Sequence, residues 1–249
     1  ITGFQIEYEN SITKNEDTDK LNELNSRIKP FLLRRTKKEM LKELPPKIEQ
    51  TSYCDLTIEQ MAIYSKILAQ VRSNIFSIVE QKGFERSKIE ILSALMKLRQ
   101  VCNHPGLLDE QYMKKNNVSG KMELFMELVD ECIAGGHKLL VFSQFTKMLG
   151  ILSNYLRSKK INHLYLDGQS KNRQQIIDSF NNEYKYRAFL ISLKAGGFGL
   201  NLTAADTVII YDPWWNPMVE MQAIDRAYRI GQENTVNVYK LVTRGTIEE

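Results

Sequence analysis

Two arginines, Arg226 and Arg229, lie three residues apart in the segment QAIDRAYRIGQ, residues 222–232. A guanidinium presents several N–H donors in a planar fork that matches the oxygens of a phosphate group. If the segment is helical, a period of about 100° per residue places both arginines and Gln222 on one stripe. That stripe is either a phosphate clamp or a solvated helix face whose cations lie at the negative end of the helix dipole.

The residues around these arginines predict the helix that would carry them. Asn216 is a favourable N-cap, and Pro217 suits the first helical position. Gly231 can adopt the left-handed conformation that follows many helix ends. Together these signals predict a helix over residues 217–230.

The segment SLKAGGFGLNLT, residues 192–203, offers a second set of phosphate-compatible groups. Its three glycines, among them Gly197 and Gly199, permit positive φ, and successive amides there can cradle phosphate oxygens. Ser192 adds a hydroxyl and Lys194 a point charge. The alternative is a glycine-rich turn that only lets a helix pack closely on a sheet.

Strands and helices alternate through the second half of the chain. Five apolar or alternating segments predict strands, at residues 139–143, 163–168, 188–192, 207–212 and 236–242. Helical patterns over 146–159 and 171–182 separate the first three. The alternation predicts an α/β fold with a parallel sheet and right-handed crossovers. In such sheets, ligands bind at the carboxyl ends of the strands.

Polar and aromatic residues follow the other predicted strands. Ser143 and Gln144 end the first strand as neutral donors or as caps of the next helix. Arg173 lies in the first turn of a predicted helix, where a cation opposes the dipole and an external anion would favour it. Trp214 and Trp215 follow the fourth strand, where such rings stack on bases or pack in a core. We expect at least one of them to be core.

The motifs that complete a nucleotide-hydrolysing site are missing from the sequence. Neither G-x-x-x-x-G-K-[ST] nor G-x-G-x-x-G occurs, and no acidic motif for a metal or nucleophile with a placed base is evident. Cys102 and His104 supply too few ligands for zinc and are interpreted as structural. The chain therefore holds groups that stabilise charge on phosphates, which is half of a phosphohydrolase.

Composition is that of a soluble globular protein of one or two domains. The 249 residues are 43% hydrophobic and 26% charged, with a net charge of +4. Three widely spaced cysteines predict no disulfide framework and indicate a reducing compartment. No apolar run approaches the roughly 20 residues of a membrane span, and no signal peptide is evident.

The first half of the chain is mostly helical in pattern. Residues 10–25 are polar and predicted to be loosely ordered, and 52–57 form a short extended stretch. Thr57 and Gln60 make a capping box before a helix that runs to about residue 81. A second helix is predicted over residues 86–102, where Arg99 lies on a stripe at helical spacing that is interpreted as core. The basic cluster at residues 27–47 would lie against a phosphate polymer or form a solvated face or linker.

Several segments together resemble the SWI/SNF family of helicase-like ATPases in helicase superfamily two. FSQF is similar to the fourth helicase motif, SLKAGGFGLNLT with DPWWNP to the fifth and its extension, and QAIDRAYRIGQ to the sixth. PFLLRRTKKEMLKELPPK and LMKLRQVCNHP resemble stretches diagnostic of this family. The segment SLKAGG, which stands where eukaryotic members typically have S-T-R-A-G-G, resembles the bacterial and archaeal branch. It removes a hydroxyl at Leu193 and the guanidinium fork at Lys194.

The resemblance implies roles for individual residues. Arg226 and Arg229 would be arginine fingers that stabilise charge on the γ-phosphoryl group of ATP. The implied ATP-binding residues are Gln222, Gly197, Gly199 and Asn201. The implied DNA contacts are Ser143, Gln144, Arg173, Ser192, Lys194 and Trp215. No metal ligand is implied here, and Mg²⁺ would be held by an N-terminal lobe of the same polypeptide.

The resemblance also implies an architecture and a function. A RecA-like lobe over residues 118–249 would follow a helical insertion and inter-lobe linker over 1–117. This lobe would serve an ATP-dependent double-stranded DNA translocase and, without the N-terminal lobe, hydrolyse no ATP. The alternatives are a non-enzymatic DNA- or protein-binding module and an unrelated nucleotide-binding α/β enzyme.

Double-stranded DNA and the N-terminal lobe are the partners that the resemblance implies. RNA polymerase, repair machinery and invading DNA all stay open as the physiological target, and no membrane partner is expected. The implied location is the cytoplasm, in association with the nucleoid if the source is bacterial.

Overall fold

The computed structural model describes residues 2–15, 17–32, 44–83, 85–112, 119–195 and 200–249. The chain divides into two compact units, Ile1–Glu43 and Leu44–Glu249. Gly197, Gly199 and most of the basic cluster lie outside the described residues. The boundary between residues 117 and 118 stays a prediction.

The first unit is helical. It contains α1 (Thr2–Phe4), a π-helical turn (Gln5–Glu9), α2 (Asn10–Asn15), α3 (Thr18–Ile28) and a 3₁₀ turn (Lys29–Phe31). The expectation of a loosely ordered stretch was wrong because Asp17 caps α3. Its carboxylate accepts hydrogen bonds from the backbone N–H groups of Asp19 and Lys20 at 3.1 and 3.0 Å. Glu23 then pairs with Lys20 and Arg27 along the helix.

The second unit is built on a six-stranded, wholly parallel sheet, which confirms the predicted α/β fold. Its strands are β1 (Lys47–Cys54), β2 (Leu139–Ser143), β3 (His163–Leu166), β4 (Ala188–Ser192), β5 (Thr207–Ile210) and β6 (Val236–Thr243). They lie in the order β1-β6-β5-β2-β4-β3. All pairs are parallel. Strands β2, β4 and β5 are buried throughout because helices cover both faces, which explains their continuous apolar runs.

The helices of the second unit flank this sheet and extend from it. They are α4 (Ile58–Lys82), α5 (Lys88–Asn103), α6 (Gly120–Ala134), α7 (Thr146–Ser158), α8 (Arg173–Asn182) and α9 (Pro217–Ile224). Successive residues of β2 alternate between two cores. Leu140 and Phe142 belong to the core with α8 and α9, and Leu139 and Val141 to the core with α6 and α7. No helix among the described residues is long and apolar enough to cross a membrane.

Buried polar contacts join helix α4 to helices α5 and α6. The predicted capping box is present, since Thr57 N–H donates to Gln60 Oε1 at 3.1 Å and Gln60 N–H to Thr57 Oγ1 at 3.2 Å. The same Oε1 accepts Gly120 N–H at 3.0 Å, and Gln60 Nε2 donates to the Val101 carbonyl at 2.8 Å. A Cβ at Gly120 would lie 2.0 Å from the Asp55 carbonyl oxygen, so only glycine allows this approach.

Strand β1 was only partly predicted. The sequence favoured a short extended stretch near residues 52–57, whereas β1 pairs with β6 along Lys47–Cys54. Most of its side chains are exposed, so it lacks the apolar run that marks the central strands. The first half of the sequence therefore contributes an edge strand to the sheet of the second half.

Candidate functional site

Two serines lie side by side where β2 and β4 end. Ser143 and Ser192 are register partners, and both are buried. Ser143 Oγ accepts the Phe145 backbone N–H at 3.1 Å, and its carbonyl accepts Leu193 N–H at 3.0 Å. These bonds fix the two loops that leave the strands. Leu193 is buried at this point, and the next side chain, Lys194, is exposed.

Asp212 is a buried carboxylate just beyond β5. Its Oδ2 accepts the Gln144 backbone N–H at 3.0 Å. Its Oδ1 and Gln144 Nε2 are buried and make no hydrogen bond within the described parts of the chain. Burial raises the pKa of Asp212 to about 6, against the opposing effects of the Ser143 hydroxyl, the Gln144 N–H and nearby cations. No local feature of the sequence indicated this shift, because the burial comes from neighbouring strands.

Arg173 has an internal partner that explains its place at a helix start. Its Nη2 donates to the carbonyl oxygens of Asp167 and Gly168 at 3.2 and 3.3 Å. Asn172 before it is left-handed, with φ of 53°, and makes no side-chain cap. The guanidinium thus stabilises the turn after β3, so its position does not require an external anion.

The predicted helix over residues 217–230 is wrong in its second half. Asn216 caps α9 by accepting Met218 N–H at 3.0 Å, and Pro217 begins it, as predicted. The helix ends at Ile224, however, and turns follow. Gly231 has a φ of 97°, which favours glycine.

The turns after α9 place the two arginines in different environments. We call residues 225–231 the arginine segment. Arg226 is only 7% exposed, whereas Arg229 is exposed. Burial lowers the pKa of Arg226, and the positive charge of Arg229 lowers it further, with Asp225 acting in the opposite direction. The single stripe predicted for a continuous helix does not form.

Gln232 ties the arginine segment to the loop before β5. Its Nε2 donates to the carbonyl oxygens of Ala205, Thr203 and Ala227 at 2.7, 3.2 and 3.2 Å. The Arg226 carbonyl accepts Leu202 N–H at 3.0 Å. Segments that are distant in sequence are therefore locked together. Gln232 bracketed the motif in the sequence, but nothing there indicated this clamp.

The remaining predicted ATP-side residues lie at the surface where they are described. Gln222 on α9 is exposed. Asn201 is also exposed, and its carbonyl accepts a hydrogen bond from Asn181 Nδ2 at 2.9 Å. Gly197 and Gly199, which would stand between Lys194 and Asn201, are outside the described residues.

Arg99 is a buried residue of the site that was expected only as part of a helical core stripe. We call residues 212–216 the tryptophan loop. Arg99 donates from Nη2 to the Pro213 carbonyl, and its guanidinium carbon lies 5.0 Å from the Trp215 ring and 5.5 Å from the Trp214 ring. The two indoles stack with ring centroids 5.8 Å apart. Trp214 packs on the core as expected for one of the pair, and Trp215 is 48% exposed.

A second buried cation lies in a complete ion pair. Lys121 Nζ donates to Glu248 at 2.5 and 2.7 Å and to Asn103 Oδ1 at 3.0 Å, and both charged side chains are almost fully buried. The Asn103 carbonyl accepts hydrogen bonds from the Tyr211 and Ser119 hydroxyls. This network ties α5, α6 and β5 to the end of the chain.

Metal ligands were not predicted in this chain. Among the described residues, no group of three or more histidine, cysteine or acidic side chains is arranged to hold a metal. His104 Nδ1 accepts Gly106 N–H at 3.0 Å, and burial lowers the pKa of His104 to about 4. Cys102 is a buried free thiol. The hydrogen bond of His104 and the burial of Cys102 agree with structural roles for these two residues.

Comparison with known proteins identifies both halves of the chain. The model of the SNF2-related domain matches residues 2–107, and that of the helicase conserved C-terminal domain matches residues 120–231. YwqA of Bacillus subtilis (strain 168) is 39% identical over 256 residues, which cover all of this chain but 27% of that protein. The chain thus spans about a quarter of the length of this relative.

Solved structures match the fold as well as the sequence. The Sulfolobus solfataricus SWI2/SNF2 ATPase C-terminal domain is 38% identical, with a TM-score of 0.66 over 81% of this chain and 82% of that one. The SWI2/SNF2 ATPase core of the same organism, solved in complex with double-stranded DNA, is 37% identical, with a TM-score of 0.71 over 99% of this chain and 52% of that one. The chain belongs to the SWI/SNF (SWI2/SNF2) family of helicase-related ATPases.

Proposed function

We propose that this chain is the C-terminal motor lobe of an ATP-dependent double-stranded DNA translocase. The observation that carries the proposal is the arginine segment, where burial and the charge of exposed Arg229 both lower the pKa of Arg226. Such preorganised cations favour an incoming anion, and Gln232 holds their backbone in place.

ATP phosphates are the anion proposed for the arginine segment. The charge on the three equatorial oxygens of a transferring phosphoryl group is spread out, and guanidinium donors stabilise it by position rather than by covalent chemistry. In this proposal, exposed Arg229 reaches the γ-phosphoryl group and Arg226 supports it from a buried position. The exposed side-chain amides of Gln222 and Asn201 are proposed to add neutral donors or acceptors beside the nucleotide. Gly197 and Gly199 are proposed as ATP-binding residues from the sequence motif alone.

The N-terminal lobe of the same polypeptide supplies the other half of the ATP site in this proposal. The sequence of this chain has no P-loop, and the groups it offers toward ATP are guanidiniums and amides rather than carboxylates. Mg²⁺, which neutralises β- and γ-phosphate oxygens when bound, is therefore assigned to ligands of that lobe.

DNA contacts are proposed at the carboxyl edge of the sheet, supported by the exposed side chains there. Lys194 follows β4 and Trp215 follows β5. A lysine neutralises backbone phosphate, and an indole stacks on a base or wedges against a sugar. Gln144 Nε2 is buried and makes no hydrogen bond among the described residues, so in this proposal the side chain turns outward to donate to a phosphate oxygen.

Three other residues are proposed to shape this DNA-binding edge. Ser143 and Ser192 are buried at the strand ends, and Arg173 bonds to carbonyl oxygens of its own turn. Their support for DNA contact is therefore indirect, through the loops that they hold.

Translocation would result from ATP-dependent closure of the two lobes along the DNA backbone. In this proposal each lobe binds DNA phosphates, and closure of the lobes around ATP brings the two phosphate-binding surfaces closer together. The surfaces separate again when the lobes open after ATP hydrolysis. The contacts proposed here are to backbone and groove, so the cycle requires no separation of the strands.

ATP turnover by the full-length protein and by this chain alone tests the proposal. The full-length protein should hydrolyse ATP faster with double-stranded DNA, and this chain should hydrolyse none in either condition. In the full-length protein, Arg229→Ala should lower the maximal rate by about 10³-fold or more. Arg157→Ala, at an exposed arginine on α7, is the matched control and should retain the rate.

Two results would overturn the assignment. Turnover by this chain alone would mean that a complete site exists within it. Turnover that persists in both Arg226→Ala and Arg229→Ala would remove the finger role and favour the alternative, a DNA- or protein-binding module that retains the helicase fold.

A further inference from the structure

Arg99 lies far from the tryptophan loop in sequence but contacts it throughout. It comes from α5, whereas the loop follows β5, and it is 1% exposed. Its Nη2 donates to the Pro213 carbonyl, and its guanidinium lies against both indole rings. Within the described parts of the chain no carboxylate forms a direct ion pair with Arg99, although its charge acts on buried Asp212, and burying an arginine without a direct ion pair is costly. We therefore expect the buried Arg99 side chain to hold the tryptophan loop in a particular conformation.

The guanidinium has a geometry suited to holding an indole. A planar cation stacks on an aromatic face, and the attraction is larger when the pair is shielded from water. The distance to Trp215, 5.0 Å, is shorter than that to Trp214, at 5.5 Å. Arg99 Nη1 makes no hydrogen bond within the described chain, so contacts with the rings and one carbonyl dominate its surroundings.

The other side of the tryptophan loop is held independently. Glu220 Oε1 accepts the backbone N–H of Trp214 at 2.7 Å, and Glu220 Oε2 lies 3.2 Å from Lys240 Nζ. Asn216 caps α9 at the end of the loop. These contacts fix the backbone around Trp214, whereas none of them holds the Trp215 ring. Stacking on Trp214 and the Arg99 guanidinium hold the half-exposed ring.

We infer that Arg99 is a positioning residue that presents the Trp215 ring to DNA. The inference rests on the proposed function, in which Trp215 contacts DNA. Arg99 itself touches no DNA and acts through the orientation of the indole. The α5 helix thereby acquires a part in DNA engagement that its core packing alone does not require.

Arg99→Lys in the full-length protein tests this inference. Lysine keeps the charge but loses the planar surface and the fork. The DNA concentration for half-maximal ATPase stimulation should rise by about three- to tenfold, which corresponds to cation–π contributions of this kind. This increase should exceed any fall in the maximal rate at saturating DNA. A purely structural role would lower the maximal rate and the melting temperature instead.

A double-mutant cycle with Trp215→Ala separates positioning from packing. If Arg99 acts through the indole, Arg99→Lys should have little further effect on the half-saturating DNA concentration once Trp215 is alanine. Trp214→Phe is the matched control for the ring that packs on the core, and the Arg99→Lys effect should persist in it. Equal effects of Arg99→Lys with and without Trp215 would overturn the inference.

The cycle also distinguishes failure of this inference from failure of the proposed function. If Trp215→Ala leaves the DNA dependence unchanged, the assignment of Trp215 as a DNA contact is wrong. If Trp215→Ala weakens DNA engagement and Arg99→Lys does not, only the positioning role is wrong. Should Arg99→Lys fail to fold, Arg99→Gln, which retains a planar donor to the Pro213 carbonyl, enters the same cycle.

Discussion

Lys121 and Arg226 are both buried cations, but their surroundings differ. Lys121 is enclosed by the Glu248 carboxylate and the Asn103 side chain, so its charge is compensated within the fold. Arg226 is buried near the charge of Arg229, and its pKa is lowered. A buried ion pair holds elements together, whereas a buried cation whose pKa is lowered is a candidate for binding an anion.

The largest effect should come from Arg226→Ala in the full-length protein. Loss of a finger should lower the DNA-stimulated ATPase rate by about 10³-fold or more. Stability should fall by less than it does in Lys121→Ala, because burial already disfavours the charged form of Arg226. Steady-state kinetics and urea unfolding measure the two effects. A large loss of stability would show that Arg226, like Lys121, mainly holds the fold together, and would contradict the proposed difference between the two residues.

Lys121→Ala should have the opposite profile and unfold the chain more easily. Removing one partner leaves the Glu248 carboxylate buried and uncompensated, which costs about 3–5 kcal/mol. Chemical denaturation of the chain measures this cost. The double variant Lys121→Met with Glu248→Leu should recover most of the stability, and no recovery would mean that the ion pair is not the cause.

Asp212 allows a test by pH. Its folded pKa, about 6, is above the usual value of 3.8, so the folded state binds its proton more tightly than the unfolded state does. The resulting stability is fully present below pH 3.8 and is lost as pH rises through about 6, by at most about 3 kcal/mol. Asp212→Asn should flatten the pH dependence of unfolding in this window. An identical profile in both proteins would contradict the pKa shift.

Gln232→Leu should have a smaller effect that connects stability to the site. The variant keeps the approximate volume but leaves buried carbonyls without a donor, at a cost of about 1–3 kcal/mol. The arginine segment should then exchange its amide hydrogens faster than the central strands do. Hydrogen exchange measured on both regions provides the internal control, and uniform acceleration would point to global destabilisation instead.

The central strands were predictable because their signals are local. Leu139–Ser143 and Ala188–Ser192 begin and end as the apolar runs do, since burial on both faces requires continuous hydrophobicity. Most of strand β1 was not predicted because an exposed edge strand carries polar residues, and only its pairing with β6 identifies it. The early end of α9 also depends on distant groups, namely the carbonyls that Gln232 binds.

The candidate site shows the same division. Residue types at the strand ends were visible in the sequence, and so was the spacing of Arg226 and Arg229. The burial of Arg226 and the exposure of Arg229 were not, because both depend on how the chain turns after Ile224. Arg99 was visible only as one position in a helical stripe, since its contact with the tryptophan loop crosses more than a hundred residues of sequence.

The place of β1 in the sheet affects how the protein is made. Cys54 at its end and Val242 on β6 are 188 residues apart. At about 5–20 residues per second, a ribosome needs roughly 10–40 s to synthesise the intervening chain. Because most of its side chains are polar, β1 can stay solvated and unpaired during that time with little tendency to aggregate. Among the six described strands, β6 is the last in sequence, and it pairs with the edge strand β1, which is the first.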